Sequence, residues 1–403
     1  MSRLPIEGQD APPEIVLDLS RLLARLLRTT PTGVDRVELR YAQTLLARVP
    51  ERLSFGARFP RGLYGRLDPA AVRRFLDHTA GLWQAPDRIT RPALRPIAAR
   101  HLFALRPRRI PRRRGGRVFL QTSPHQLERQ QRTARILAAE DARFVTMVHD
   151  LIPITHPEYV RAESAAAHRA RIATIELLAD GVIANSAATR DALLAGLSRD
   201  RALPIAVAHL GTELADAVAP LASGRPYFVC VATIEARKNH LLLLNIWRRL
   251  VEQQGDRAPL LHLIGKRGWE NEQVVDMLER CPALKGVVVE HHDMADAAMR
   301  AMVAGARAVL LPSFAEGFGM PVAEALAAGT PAIVSAIDAL REVGGEAPDY
   351  LDPLDGLGWR TAIEDYAAPD SLRRAAQLRR LAEWRPSTWD RHIDIVLDLI
   401  DGL

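Results

Sequence analysis

The chain has 403 residues, 48% of them hydrophobic and 25% charged. That is a globular composition, long enough for two domains of ordinary size, and it excludes a mainly disordered protein. The two cysteines, Cys230 and Cys281, are too few and too far apart for a disulfide framework or a zinc site and read as reduced thiols of a cytoplasmic protein. The net charge is +6. No apolar run approaches the roughly 20 residues that span a bilayer, and the N-terminus lacks a signal region, so the expectation is a cytoplasmic chain, soluble or peripheral on a membrane.

In chain order, the first strand expected is Ile15–Leu19. Pro31-Thr32-Gly33-Val34-Asp35-Arg36 then opens a helix, with Thr32 as its N-cap and Gly33 allowing close approach to a ligand. Strands follow at Arg117–Gln121, Phe144–Val148, Gly181–Ala184 and Ile205–Ala208, with segments of helical length between them. The stretch after Gly211, as far as Gly224, carries little pattern and reads as a linker. A second alternating series has strands at Tyr227–Ala232, Leu260–Ile264, Gly286–Glu290, Ala308–Leu311 and Ala332–Ser335, with helices near Leu241–Glu252, Glu270–Arg280, Ala295–Ala304 and Pro321–Ala328. Such alternation predicts an α/β protein of two Rossmann-like, doubly wound domains that face a central cleft, residues 1–212 and 213–386, with ligands at the carboxyl ends of the strands.

Between Arg88 and Leu127 lie eleven arginines and neither Asp nor Glu. The plain reading is a solvated loop. The functional one is a dock for an anionic membrane or a diphosphate, with Arg109, Arg112, Arg113 and Arg114 at its centre and Leu102, Phe103 and Leu105 as apolar contacts. Nucleic acid is not expected, because this window offers few stacking groups, among them His101, Phe103 and Phe119, and no binding motif is present.

Three constellations carry chemistry. Phe144–Val148 runs into His149-Asp150-Leu151-Ile152-Pro153, a His-Asp pair at a strand's carboxyl end. Thr233-Ile234-Glu235-Ala236-Arg237-Lys238-Asn239 joins a strand to a helix, a phosphate-binding position, and Lys238 is one of only three lysines among 54 basic residues. Ser313-Phe314-Ala315-Glu316-Gly317-Phe318-Gly319-Met320-Pro321-Val322-Ala323-Glu324 follows an apolar strand, with Glu316 on a loop and Glu324 expected in the first turn of a helix begun by Pro321. Gly317 and Gly319 let backbone approach a ligand, and the helix N-terminus favours phosphate oxygens. Glu324 could accept two hydrogen bonds from a ribose diol, leaving Glu316 nearer a sugar.

These stretches resemble the retaining glycosyltransferases of GT-B family 4, most strongly from about Tyr227 to Pro353, and the His-Asp-Leu-Ile-Pro form resembles a mannosyltransferase-like subgroup. The resemblance implies that Lys238 meets a donor diphosphate and that His149 and Glu316 contact the hexose. It also implies that Gly317, Phe318 and Gly319 bind donor and that the helix near 387–400 crosses back to the first domain. Relatives carry an arginine where Thr233 or Ile234 stands, so Arg237 is the candidate substitute. Gly33 is the counterpart of a glycine-rich loop, and Arg36 a donor or acceptor contact.

The expected activity is transfer of a hexosyl group, with mannose from GDP-mannose as the expected donor, to a glycan or a lipid-linked glycan of a surface or exopolysaccharide. No cofactor is expected, and no metal, since the chain has no Asp-x-Asp. Three other readings are a sugar-nucleotide epimerase or phosphorylase of related fold, an arginine-rich polyanion binder and a nicotinamide oxidoreductase. The last lacks the third glycine of its fingerprint, where Val322 stands.

Overall fold

A computed structural model describes residues 12–59, 62–84, 91–112, 116–198, 202–212, 219, 221 and 223–403. Arg113, Arg114 and most of the expected linker lie outside them. Short apolar runs, buried on both faces, form two sheets. In the first, β1 (Glu14–Asp18), β2 (Leu53–Arg58), β3 (Tyr64–Arg66), β4 (Arg117–Gln121), β5 (Arg143–Val148), β6 (Gly181–Ala184) and β7 (Ile205–Val207) take the order β3-β2-β1-β4-β5-β6-β7. In the second, β8 (Tyr227–Val231), β9 (Leu260–Ile264), β10 (Val288–His291), β11 (Val309–Leu311), β12 (Ala332–Ser335) and β13 (Asp349–Leu351) take the order β10-β9-β8-β11-β12-β13. All pairings are parallel except β2 with β3. Parallel pairing requires helical crossovers on both faces, so each sheet is sandwiched between helices.

The helices that shape the cleft and its hinge are α1 (Gly33–Arg48), α2 (Pro69–Gln84), α3 (Arg91–Ala104), α4 (Ala187–Gly196), α5 (Asp296–Gly305), α6 (Met320–Ala327), α7 (Asp338–Gly344) and α8 (Trp389–Asp401). Thr32 caps α1 through a reciprocal capping box with Asp35. The last helix, α8, packs on the first domain. Ile393, Val396 and Ile400 join the core built by Ile15, Leu17 and Phe55, and the His392 ring contacts the Tyr41 hydroxyl and the His209 carbonyl at 2.5 and 2.9 Å.

The structure corrects several sequence expectations. The third strand of the second sheet begins two residues later than expected, at Val288, after Gly286 with φ +75°. Helix α6 starts at Met320 because Gly319, at φ +99°, takes the N-cap; Pro321 is its second residue and Glu324 its fifth, one residue further in than expected. Arg117, counted in the exposed arginine run, is 6% exposed and opens β4, bonded to Glu14 and to the carbonyl of Glu140. Leu105, expected to be available for apolar contact, is fully buried; Phe103 is 72% exposed. No helix among the described residues is long and apolar enough to cross a membrane. Cys230 is buried, Cys281 partly buried, and both are free.

Candidate active site

The carboxyl ends of the two sheets face each other. On the second domain, β8 ends at Val231 and the chain turns through Ala236–Lys238, with Asn239 in the left-handed region, before the next helix. This turn points Arg237 and Lys238 at the loop after β11. Lys238 Nζ donates to Glu316 Oε1 at 2.5 Å, Arg237 Nη1 donates to Glu316 Oε2 at 2.9 Å, and Ser313 Oγ donates to Oε1 at 2.7 Å. Arg237 Nε also lies 2.7 Å from Glu235. Burial by itself would raise the Glu316 carboxyl, but the charges of Lys238 and Arg237, with the Lys238 and Ser313 hydrogen bonds, hold it near 2. The Glu316 carboxylate is thus charged throughout the physiological range, and the cluster is nearly dry, with Lys238 and Glu316 side chains 8% and 7% exposed.

The first domain meets this loop closely. Gly317 sits where a Cβ would lie 2.1 Å from the His149 carbonyl oxygen. Its own carbonyl accepts from Ser186 Oγ at 2.7 Å and Thr189 Oγ1 at 3.1 Å. Its lack of a side chain therefore serves contact between the domains, where the sequence suggested room for a ligand. Gly33 is packed more gently: a Cβ there would lie 2.9 Å from the terminal methyl of Met320. The N-termini of α1 and α6 thus face each other across the cleft. Phe318 is 5% exposed, its ring 5.9 Å from that of His209, and belongs to the first domain's core.

His149 directly follows β5, at the carboxyl end of the strand, as its motif suggested. Its Nε2 lies 2.7 Å from the Thr122 carbonyl and therefore donates, which leaves Nδ1 as an acceptor. Burial lowers the pKa of this imidazole below its ordinary value, against the opposing pull of the Thr122 carbonyl and Asp150. The ring is neutral near pH 7.

Glu324 stands apart from the Glu316 cluster. It lines a cavity of about 580 Å³ between α1 and α2 of the first domain and α5 and α6 of the second, together with Arg36, Arg40, Asp296, Arg300 and Met320. The structure therefore groups Arg237, Lys238 and Glu316 in one cluster and Arg36 and Glu324 in the wall of one cavity. Arg109 and Arg112 are exposed and belong to neither group. Sequence reasoning missed Ser313, which sits three residues before Glu316 in a motif already singled out. It also missed Asp296, whose acidic first-turn position was its only signal, and Glu342 of α7, which caps the N–H groups of Ala187 and Ala188 on α4 at 2.7 and 3.3 Å. Among the described residues no group of three or more His, Cys, Asp or Glu side chains could hold a metal ion.

Two Rossmann-like domains closed on one another, with the carboxyl ends of both sheets at the cleft, have the GT-B fold. Solved structures agree. HepE of Anabaena, solved in complex with UDP-glucose, superposes with a TM-score of 0.64 over 97% of this chain and 100% of that one at 14% identity. Sucrose-phosphate synthase of Thermosynechococcus elongatus gives 0.59 over 96% and 97% at 17% identity.

Residues 212–348 match the family described as Glycosyl transferases group 1. The chain is 34% identical over 164 residues to O-antigen chain mannosyltransferase B of Escherichia coli, covering 41% of this chain and 42% of that one. It is 24% identical over 241 residues to the serotype-specific mannosyltransferase WbdA of the same organism, covering 55% and 29%. The alignments thus span less than half the length of either relative.

Proposed function

We propose that the protein transfers a hexosyl group from a nucleoside diphosphate sugar to a sugar hydroxyl of a glycan or lipid-linked glycan, with retention at the anomeric carbon. The observation that carries this reading is the Lys238–Glu316–Arg237 cluster at the strand ends of the second domain, facing the first domain across the cleft. As the bond from anomeric carbon to diphosphate breaks, negative charge accumulates on the leaving group. Lys238, Arg237 and the N-terminus of α6 offset it, and no metal or cofactor is required. Glu324 holds the ribose diol; Glu316 orients the hexose and positions Lys238 through their ion pair. His149 contributes a neutral Nδ1 acceptor to the hexose side of the cleft.

Mannose from GDP-mannose is the donor favoured by the mannosyltransferases the chain resembles. Assembly of a surface polysaccharide is the corresponding process. The protein works at the cytoplasmic face of the membrane, with α3 and the adjoining arginines against anionic lipid. Exposed Leu102 and Phe103, and Arg106 over the Phe103 ring at 5.3 Å, support that placement.

The test is release of nucleoside diphosphate from GDP-mannose and other sugar nucleotides, with and without a mannosyl acceptor and with EDTA present. Acceptor-dependent release with a retained anomer supports the reading. Acceptor-independent conversion would indicate an epimerase, and consumption of inorganic phosphate a phosphorylase.

A further inference from the structure

Arg36 of α1 and Asp296 of α5 face each other across the cavity that Glu324 lines. The Arg36 guanidinium gives two N–H groups to the two oxygens of one carboxylate, Nη1 to Oδ2 at 2.7 Å and Nη2 to Oδ1 at 2.6 Å. Asp296 is the first residue of α5, where the positive end of the helix stabilises its negative charge whether or not an arginine is opposite. It is mostly buried, its side chain 14% exposed.

A carboxylate held in this way selects a partner with two parallel N–H groups on one edge. Among nucleobases only guanine has such an edge, formed by N1–H and the exocyclic N2 amino group. Adenine and cytosine place a ring-nitrogen lone pair beside their amino group, and uracil and thymine flank one N–H with two carbonyls. Each of these would set an acceptor against a carboxylate oxygen, leaving buried polar groups unpaired. Glu324 and Asp296 share the wall of one cavity. A nucleoside whose ribose is held by the first would direct its base toward the α5 side.

We infer that Asp296 reads the base of the donor and that the base it selects is guanine, which replaces the Arg36 fork on the same two oxygens. The inference rests on the transferase reading and adds to it the residue that selects the donor's base. Arg36 then acts as a stand-in that keeps Asp296 paired before the nucleotide arrives.

The experiment measures binding of GDP, inosine diphosphate, UDP and ADP to the full chain by titration calorimetry, for wild type, Asp296→Asn and Glu324→Ala. Inosine diphosphate lacks only the N2 amino group. Expected for wild type is GDP binding at least about tenfold tighter than inosine diphosphate and tighter still than UDP or ADP. In Asp296→Asn the GDP preference over inosine diphosphate falls to within about twofold while inosine diphosphate still binds, whereas Glu324→Ala weakens all four. Equal wild-type affinity for GDP and inosine diphosphate, a preference for UDP or ADP, or an unchanged preference in Asp296→Asn would each overturn the guanine assignment and leave the transferase reading standing. Absence of binding by every nucleoside diphosphate would overturn both.

Discussion

A methyl group on Gly317 would lie 2.1 Å from the carbonyl oxygen of His149, so the loop that carries Glu316 and the loop that ends β5 touch through backbone alone. The same carbonyl accepts Asn185 Nδ2 at 2.9 Å, and Gly317 in turn is bonded to Ser186 and Thr189. Gly317→Ala cannot be absorbed by a flexible side chain, because backbone lies opposite. The expected result is a protein with both domains folded but held apart, with a larger radius of gyration in small-angle scattering. Turnover should fall by at least about tenfold, since loss of close positioning costs that much or more. Gly33→Ala is the contrast: it meets only the end of Met320, which can rotate, and should retain most activity. Equal behaviour of the two variants would show that domain contact at Gly317 is not needed.

Glu316 gathers two cations, so its replacement and theirs are not equivalent. Lys238→Ala leaves the carboxylate paired with Arg237 and should lower turnover at least about tenfold, a loss of about 1.4 kcal/mol in transition-state stabilisation, with little change in stability. Glu316→Ala leaves Lys238 and Arg237 buried without this partner and should cost about 3 kcal/mol of stability as well. Steady-state kinetics and urea unfolding of the two variants separate these effects. Near-normal turnover of Lys238→Ala would remove that lysine from the mechanism.

Much of this architecture is legible in the sequence, and the gaps have physical causes. Runs such as Phe144–Val148 and Leu260–Ile264 stand out because strands buried on both faces are continuously apolar. Strands β2 and β3 were not anticipated: Gly56 interrupts the first and Gly65 the second, which is a three-residue antiparallel edge. At the site, local motifs named Glu316, Lys238 and His149, because each lies in a strand-to-loop segment of recognisable composition. Contacts between distant positions carry no such local signal. Asp296 and Arg36 are 260 residues apart in the chain, and neither stretch announces the other. The arginine run misled at Arg117 for a related reason: its acidic partners, Glu14 and Glu140, come from elsewhere in the chain.

Membrane attachment depends on a surface in which apolar and basic groups lie together. Phe103 is 72% and Leu102 40% exposed at the end of α3, while Arg109 and Arg112 are exposed just beyond. In co-sedimentation with vesicles containing anionic lipid, Phe103→Ser should weaken binding. Replacement of Arg106, Arg109 and Arg112 by alanine should weaken it further, by about 1 kcal/mol per arginine and less at high salt. Neutral vesicles should bind both variants and wild type poorly. Binding of the arginine variant to anionic vesicles as strongly as wild type would exclude this surface as the dock.

Glu38, on α1 just below the cleft, supplies a pH-dependent stability independent of substrate. It is fully buried, with Oε1 accepting the Leu22 N–H at 3.2 Å. Burial, and then the charge of Asp18, raise its carboxyl to about 8, against 4.5 in the unfolded chain. The sign follows from proton counting. Between those values the folded protein retains a proton that the unfolded chain has lost, so raising the pH favours unfolding. The contribution of this group falls by about 1.4 kcal/mol per pH unit across that window and levels off above the folded value. Glu38→Gln keeps the shape of the neutral acid and cannot ionise. Its stability relative to wild type should therefore rise steadily from pH 5 to pH 8, as read from urea midpoints at fixed salt. The opposite slope, or none, would mean that Glu38 is ionised in the folded protein and that α1 is held against the cleft by a buried charge.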